Sequence, residues 1–179
     1  DYRLRDPDSL TALRDGYDRV DFNFLDLDGI EHSPNDSSYS GRPLIVHVMG
    51  SWCPNCVDET ILLTELYEAH RDQGLRVLAI AFEKHSDERR AILGLRRFKE
   101  ELHVPYPILY GGSAAKDIAA SRLPFLNHLM SYPTCIFIDR RGEVRRIRTG
   151  FYGPGTGAHY VIYKQQLESF LKQLLSEKA

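Results

Sequence analysis

The sequence predicts an α/β fold with a central mixed sheet and flanking helices. Three observations predict it: two nearly continuous apolar runs at 44–49 and 76–82, a helical pattern between them, and a later pair of strands joined by a tight turn. Short runs that are apolar at nearly every position are typical of strands covered on both faces of a sheet. A strand–helix–strand unit joins parallel neighbours, whereas a tight turn joins antiparallel ones. We therefore expect both kinds of pairing in one sheet.

The first half of the chain is predicted to contain a hairpin and then the strand–helix–strand unit. Residues 20–27 alternate between apolar and polar side chains, and Asp28-Gly29 follows as a strong hairpin turn signal. The helix between the two apolar runs is predicted over 53–73, and Gly74 is placed to end it. A short helix is also expected near 9–15.

The second half is predicted from apolar periodicity and helix-capping residues. We expect a helix from Ser86 to about Leu102, a strand at 106–110, a helix from Ser113 to Ser121, a hairpin of strands 134–139 and 143–148, and a final helix over 159–176.

The composition is that of an ordinary globular chain of 179 residues, with 42% hydrophobic and 27% charged residues. That length supports one well-buried core, so we expect one domain over 20–179 after a polar leader at 1–19. The formal net charge of −2 gives no reason to expect nucleic acid as a partner. No apolar run approaches the ~20 residues that span a bilayer. The chain begins at Asp1 without a signal peptide, so we expect that a preceding segment has been removed.

Two cysteines stand three positions apart where the first buried strand meets the predicted helix. Cys53 and Cys56 form a C-x-x-C pair within residues 52–56 (WCPNC). At the first turn of a helix, the Cys53 sulfur would face unpaired backbone N–H groups and the positive end of the helix dipole, which favour the thiolate. Pro54 fits the first helical position, where its missing N–H costs nothing. This setting is typical of a redox motif, and metal binding is the alternative use of the same spacing.

The element order and its motifs resemble the thioredoxin fold and, more narrowly, the TlpA/ResA group of extracytoplasmic thiol–disulfide oxidoreductases. The resemblance covers 20–176, nearly the whole chain. Four features carry it: the WCPNC motif, a Glu three residues after its second cysteine, Tyr132-Pro133-Thr134 leading into the late hairpin, and an extra helical segment between the second and third strands. It implies a three-layer thioredoxin-like fold with an N-terminal β-hairpin and a helical insertion before a cis-Pro hairpin.

The resemblance also implies a role for each cysteine. Cys53 would attack a disulfide of a partner protein, and Cys56 would resolve the mixed disulfide by thiol–disulfide exchange. Pro133 matches the cis-proline of the family, which would leave the backbone of Tyr132 free to pair with a substrate chain. Four residues around the cysteines would contact the substrate: Trp52, Pro54, Tyr132 and Pro133.

Two titratable side chains are predicted to handle protons beneath the dithiol. Glu59 lies three residues after Cys56 and shares its helical face, from which it could exchange the Cys56 proton. The alternative for Glu59 is an acid that only complements the helix dipole. His47 lies six residues before Cys53, where thioredoxins carry a buried acid and this subgroup often has Asn. It could relay protons near neutral pH, or it could be a core imidazole satisfied by one hydrogen bond.

Three other classes of protein were weighed against the redox interpretation. A metal-binding module needs two further ligands, and none of the seven histidines pairs at zinc-finger spacing. A redox-inactive thioredoxin-like binding domain would not need both cysteines together with Pro133. A peroxiredoxin wants Pro seven and Thr or Ser three residues before its cysteine, and Val46 and Gly50 stand there relative to Cys53. The third cysteine, Cys135, is expected to be a buried inert thiol.

The sequence therefore predicts a monomeric protein disulfide oxidoreductase that acts as a reductant on protein partners. No organic cofactor or metal is implied. The resemblance implies an extracytoplasmic location, with a membrane tether through the segment that would precede Asp1.

Overall fold

The computed structural model describes residues 5–179, in which seven strands and four α-helices follow one another. Their bounds are β1 (Phe24–Leu25), β2 (Glu31–His32), β3 (Leu44–Met49), α1 (Pro54–His70), β4 (Arg76–Glu83), α2 (Glu88–Glu101), β5 (Ile108–Ser113), α3 (Lys116–Arg122), β6 (Thr134–Ile138), β7 (Val144–Thr149) and α4 (Ala158–Ser176). Short 3₁₀ turns lie at Pro7–Ser9, Arg71–Gln73 and Pro154–Thr156.

Five strands form one mixed sheet in the order β5-β4-β3-β6-β7. The central strand β3 pairs in parallel with β4 and antiparallel with β6, so both predicted kinds of pairing meet on it. This register places His47 between Ala79 on one side and Cys135 on the other. The mixed α/β sheet expected from the two apolar runs and the late hairpin is confirmed.

Helices and loops cover the two faces of the sheet. On β3, Ile45 and Met49 belong to the core cluster that includes the apolar side chains of α1, α2 and α4, whereas Val46 and Val48 belong to the cluster with the N-terminal segment and α3. Side chains alternate between the faces of a strand, so His47 points to the same face as Ile45 and Met49, towards α1. The three-layer arrangement is thereby confirmed.

The N-terminal hairpin is present but short. β1 and β2 contribute two residues each, and the Asp26 carboxylate holds the turn between them by accepting the backbone N–H groups of Asp28 and Ile30 at 2.9 Å. The Asp28-Gly29 signal is therefore located correctly, with Gly29 at a φ of +80°.

The helix expected near 9–15 is wrong. A 3₁₀ turn occupies Pro7–Ser9, and Leu13 forms an isolated antiparallel bridge with Leu126. The backbone there pairs with a distant connection instead of with itself, which local patterns do not reveal. Residues 1–4 of the predicted leader lie outside the described residues, and the division at 19/20 stays a prediction.

The strand predicted at 106–110 begins and ends earlier in the sequence than the observed strand β5. β5 starts at Ile108 and ends at Ser113, so Ser113 closes a strand and does not cap a helix; Asp87, rather than Ser86, caps α2. Glycine inside β5 has a packing reason, because a Cβ on Gly111 would lie 2.7 Å from the ring of Phe82. Within residues 5–179, no helix combines the length and apolar character needed to cross a membrane.

Candidate active site

The C-x-x-C pair lies at the N-terminus of α1. Cys53 is the N-cap residue with extended backbone, and Pro54 is the first helical residue, as the missing proline N–H allows. The backbone N–H of Cys56 donates to the Cys53 carbonyl at 3.0 Å, which closes the first turn. Cys53, Cys56 and Cys135 are all free cysteines in the structure.

The two thiols of the pair occupy different environments. Cys53 is 7% exposed, and its thiol donates to the Tyr132 carbonyl oxygen at 3.7 Å, whereas Cys56 is 0% exposed. Burial raises the pKa of the Cys56 thiol, and the neighbouring Cys53 thiol and Glu59 carboxylate raise it further. Cys53 can therefore meet a partner first, while Cys56 needs a proton acceptor before it can react.

The predicted substrate-contact residues gather around Cys53. The peptide bond between Tyr132 and Pro133 is cis, and the Tyr132 carbonyl faces the Cys53 thiol. The Trp52 ring meets the Tyr132 ring edge-on with centroids 5.4 Å apart, and it is 36% exposed. An exposed aromatic surface beside the more accessible sulfur suits contact with another polypeptide.

The loop that leads into Cys53 is held by the end of β4. The Glu83 carboxylate accepts the backbone N–H of Ser51 at 2.8 Å and the Ser51 hydroxyl at 2.7 Å. The indole N–H of Trp52 donates to the Phe82 carbonyl at 3.0 Å. Glu83 was missed in the sequence analysis; the available signal was an acid directly after an apolar strand.

Beneath Cys56, the structure brings together the two side chains predicted to handle protons. His47 Nε2 lies 3.2 Å from Glu59 Oε2, and both side chains are buried. The Tyr163 hydroxyl donates to the other carboxylate oxygen of Glu59 at 3.5 Å. Tyr163 was also missed; it lies four residues before Leu167 on the buried stripe of α4.

Cys135 completes this buried cluster. It pairs with His47 across β3 and β6, and donor atoms of His47, Glu59 and Cys135 all lie within 4.8 Å of one another. Burial first, and then Glu59, raises the pKa of the Cys135 thiol. The predicted burial of Cys135 is confirmed. Imidazole, carboxylate and thiolate are also the donors that Zn²⁺ takes, so these three residues are the ones that could hold a metal.

Comparisons with known proteins identify the family of the chain. The sequence profile of the AhpC/TSA family matches residues 16–147. The chain is 30% identical to the thiol-disulfide oxidoreductase ResA of Geobacillus kaustophilus over 78% of this chain and 72% of ResA. It is 25% identical to the thiol:disulfide interchange protein DsbE of Pseudomonas aeruginosa over 96% of this chain and 83% of DsbE.

A solved structure supports the fold independently. A thioredoxin-family thiol:disulfide interchange protein from Chlorobium tepidum superposes with a TM-score of 0.66 at 18% identity, over 92% of this chain and all of that one. The chain therefore belongs to the AhpC/TSA family, and it is a thiol–disulfide oxidoreductase of the ResA/DsbE type whose C-x-x-C pair is Cys53 and Cys56.

Proposed function

We propose that this oxidoreductase reduces disulfides of partner proteins, with Cys53 as the attacking thiol. The Cys53 thiolate would attack one sulfur of the partner disulfide, forming a mixed disulfide and releasing the first partner thiol. Cys56 would then lose its proton and attack the Cys53 sulfur, which forms the Cys53–Cys56 disulfide and releases the second partner thiol. Two electrons pass to the partner, and a dithiol donor would return the enzyme to its reduced state.

The unequal burial of the two thiols is the observation that carries this proposal. Cys53 keeps an exposed fraction of 7% through which an incoming disulfide could reach its sulfur, whereas Cys56 is fully buried. The resolving step is therefore intramolecular. It also needs a base, because burial keeps Cys56 protonated at neutral pH.

Glu59 is our candidate for that base. Its carboxylate is buried on the same helix and is close enough to raise the pKa of Cys56. His47, 3.2 Å from Glu59, would take part by sharing the transferred proton or by compensating the carboxylate charge. The proton would return through the same groups when the disulfide is reduced.

Reduction of partners is the direction that the resemblance to the TlpA/ResA group supports. A strongly oxidising dithiol gains its potential because ionisation stabilises its reduced form. We expect a potential nearer the ~−270 mV of thioredoxin than the ~−120 mV of DsbA.

The remaining expectations concern the partner, the location and the assembly. Trp52, Pro54, Tyr132 and Pro133 would form the surface against which the partner chain docks. We propose an extracytoplasmic location and a tether through a preceding segment, which the resemblance to the TlpA/ResA group supports; one structural neighbour is described as a secreted disulfide oxidoreductase. We also propose that the protein is a monomer.

The deciding experiment follows the two thiols separately. Cys56→Ser should accumulate a mixed disulfide with a disulfide-bonded test protein such as insulin, and Cys53→Ser should form none under the same conditions. Equilibration with dithiothreitol buffers should give a potential well below that of DsbA. Mixed disulfides that persist in Cys53→Ser would overturn the assignment of the attacking thiol, and a potential near −120 mV would overturn the direction.

Zinc analysis tests the use of the buried cluster. In the Cys53→Ser, Cys56→Ser double variant, only Cys135 can supply a thiolate. We expect this protein to hold no stoichiometric zinc after dialysis against zinc-containing and then zinc-free buffer. Retained zinc that Cys135→Ser removes would contradict the proton-transfer role, because the metal would occupy Glu59 and His47.

A further inference from the structure

We propose that Glu83 is a positioning residue for the Cys53 thiol, acting through Ser51 and Trp52. The proposal rests on the role of Cys53 as the attacking thiol. Glu83 is the last residue of β4 and lies 32 positions after Ser51, so the contact joins the end of one central strand to the loop that leaves its neighbour. We refer to residues 82–84 as the β4 clamp.

The first element of the clamp is the carboxylate itself. Glu83 is only 3% exposed, and each of its oxygens accepts a hydrogen bond from Ser51, one from the backbone N–H and one from the hydroxyl. An ionised carboxylate is an acceptor at both oxygens, so these contacts satisfy the charged form. The paired bonds fix the peptide plane two residues before Cys53.

The second element is the Trp52 indole, which folds back over its own loop. Its N–H reaches the Phe82 carbonyl, the residue before Glu83. This path exists because residue 50 is glycine: a Cβ there would lie 2.3 Å from Trp52 Nε1 and 2.8 Å from the Phe82 oxygen. A backbone oxygen cannot move aside as a flexible side chain can, so the loop conformation requires glycine at this position.

The third element covers the outer face of the indole. Lys84 Nζ lies 4.2 Å from the centre of the Trp52 ring, in the geometry of a cation–π contact. On its edge the same ring meets Tyr132, whose carbonyl accepts the Cys53 thiol. Three consecutive residues thus hold the loop. Glu83 binds its backbone, Phe82 accepts the N–H at the edge of the Trp52 indole, and Lys84 covers the face of that ring.

Two substitutions at Glu83 separate position from charge. Glu83→Gln removes the charge but keeps a side chain that can accept from the Ser51 N–H and donate to its hydroxyl. Glu83→Ala removes both. Ser51→Ala removes the hydroxyl contact and leaves the carboxylate, and Glu101→Gln, at the exposed end of α2, is the matched control for loss of one negative charge.

Two readouts report on the loop without measuring catalysis. Trp52 is the single tryptophan of the chain, so intrinsic fluorescence and acrylamide quenching follow the indole alone. In a Cys56→Ser background, the pH dependence of the iodoacetamide reaction reports the thiolate of Cys53. Circular dichroism and urea unfolding identify any variant that fails to fold, in which case Glu83→Gln and Ser51→Ala decide the test.

We expect Glu83→Gln to keep both the alkylation profile of Cys53 and the Trp52 emission, because the amide can still bond to both groups of Ser51. Glu83→Ala should raise the alkylation rate of Cys53, which a loosened loop exposes, and should shift Trp52 emission to the red with stronger quenching. Ser51→Ala should change the emission slightly, and Glu101→Gln should change neither readout.

Two results would overturn the proposal. If Glu83→Ala keeps the wild-type alkylation profile, Glu83 does not act on Cys53, even where the emission shifts. If Glu83→Ala leaves the emission and quenching unchanged, the clamp does not hold the loop. Neither result bears on whether Cys53 attacks first, which the mixed-disulfide experiment decides separately.

Discussion

The inner and outer sides of the dithiol are surrounded by different kinds of contact. On the inner side, the buried side chains of His47, Glu59, Cys135 and Tyr163 form a cluster that we call the floor. On the outer side, residues 50–52 are held by the β4 clamp through backbone and side-chain contacts. The difference follows from the two thiols: the fully buried Cys56 has no solvent to take its proton, whereas Cys53, which is slightly exposed, must be held where a partner can reach it.

One reaction can measure both sides in a single experiment. When the reduced protein meets an aromatic disulfide such as DTNB, attack by Cys53 releases one coloured thiolate in a bimolecular phase. Attack by Cys56 on the resulting mixed disulfide releases the second in a unimolecular phase. Changes to the floor should alter the second phase, and changes to the clamp should alter the first. Each prediction below, except the one on the pH dependence of stability, compares the rates of these two phases.

The largest effect is expected from Glu59→Gln. The amide keeps the shape of the side chain but cannot accept the Cys56 proton, so the unimolecular phase should slow by roughly 10²- to 10³-fold, within the range of general-base catalysis. The bimolecular phase and Trp52 emission should stay at wild-type values. Glu65→Gln, an exposed acid six residues along the same helix, is the control. An unchanged rate of the unimolecular phase would show that Glu59 only complements the helix dipole.

A smaller effect on the opposite side is expected from Gly50→Ala. The added Cβ would overlap the Trp52 indole and the Phe82 carbonyl, so the loop must shift at a cost of about 1–3 kcal/mol in the free energy of unfolding. The bimolecular phase should slow and Trp52 emission should move to the red, with the unimolecular phase nearly unchanged. Gly94→Ala, where a Cβ would meet nothing within 4 Å, is the matched control.

The free energy of unfolding of the reduced protein should decrease as the pH rises, and Cys135 should account for part of that decrease. Burial raises the pKa of both Cys56 and Cys135, so in the folded state these thiols stay protonated while unfolded thiols ionise near pH ~8.5. The unfolded state then binds fewer protons, and stability decreases as pH rises above that value, by about 1.4 kcal/mol per pH unit for each thiol. Cys135→Ala should remove one of the two contributions.

Urea unfolding between pH 8 and 9.5 under reducing conditions measures that decrease. The slope for Cys135→Ala should be about half that of the wild type, because only Cys56 still contributes. Equal slopes in the two proteins would show that Cys135 does not keep its proton in the folded state. The comparison uses slopes, so the cavity that alanine leaves does not affect the conclusion.

The outcome at each position shows which parts of the site local sequence can predict. Cys53, Pro54 and Cys56 were placed correctly because the end of an apolar strand and the start of a helix are local signals. Glu83 was missed because its partner, Ser51, is distant in sequence, and an acid at the end of a strand commonly faces solvent. The edge strand β5 was misplaced because glycine is uncommon inside a strand, whereas here Gly111 makes room for the Phe82 ring.

In the floor, the sequence identifies two of the residues but does not predict the distances between them. His47 and Glu59 were each singled out as proton-handling candidates from their offsets to the cysteines. That they lie 3.2 Å apart depends on how α1 crosses the face of β3, and no pattern in either element specifies that distance. Tyr163 enters the cluster from the last helix, more than a hundred residues from Glu59. Helical periodicity predicts which side chains of the last helix are buried, but it does not predict that the Tyr163 hydroxyl contacts Glu59.

The next prediction decides between the two interpretations of His47. Replacing its imidazole by the amide of His47→Asn removes the nearest titratable neighbour of Glu59. If His47 shares the transferred proton, the unimolecular phase should slow by about 5- to 10-fold at pH 7 and change its pH dependence, a modest general acid–base effect. His85→Asn, exposed near the clamp, is the control. An unchanged pH profile would make His47 a core imidazole with a structural role only.

The smallest effect is expected from Tyr163→Phe. The hydroxyl donates one long hydrogen bond of 3.5 Å to Glu59, so its loss should cost about 0.5 kcal/mol, at the low end for such bonds. A bond this long holds the Glu59 carboxylate only weakly. We therefore expect the unimolecular phase to change by less than about twofold, while the bimolecular phase stays unchanged. A second phase slowed by more than that would instead indicate that Tyr163 positions the carboxylate towards Cys56, and the floor would then depend on geometry as the clamp does.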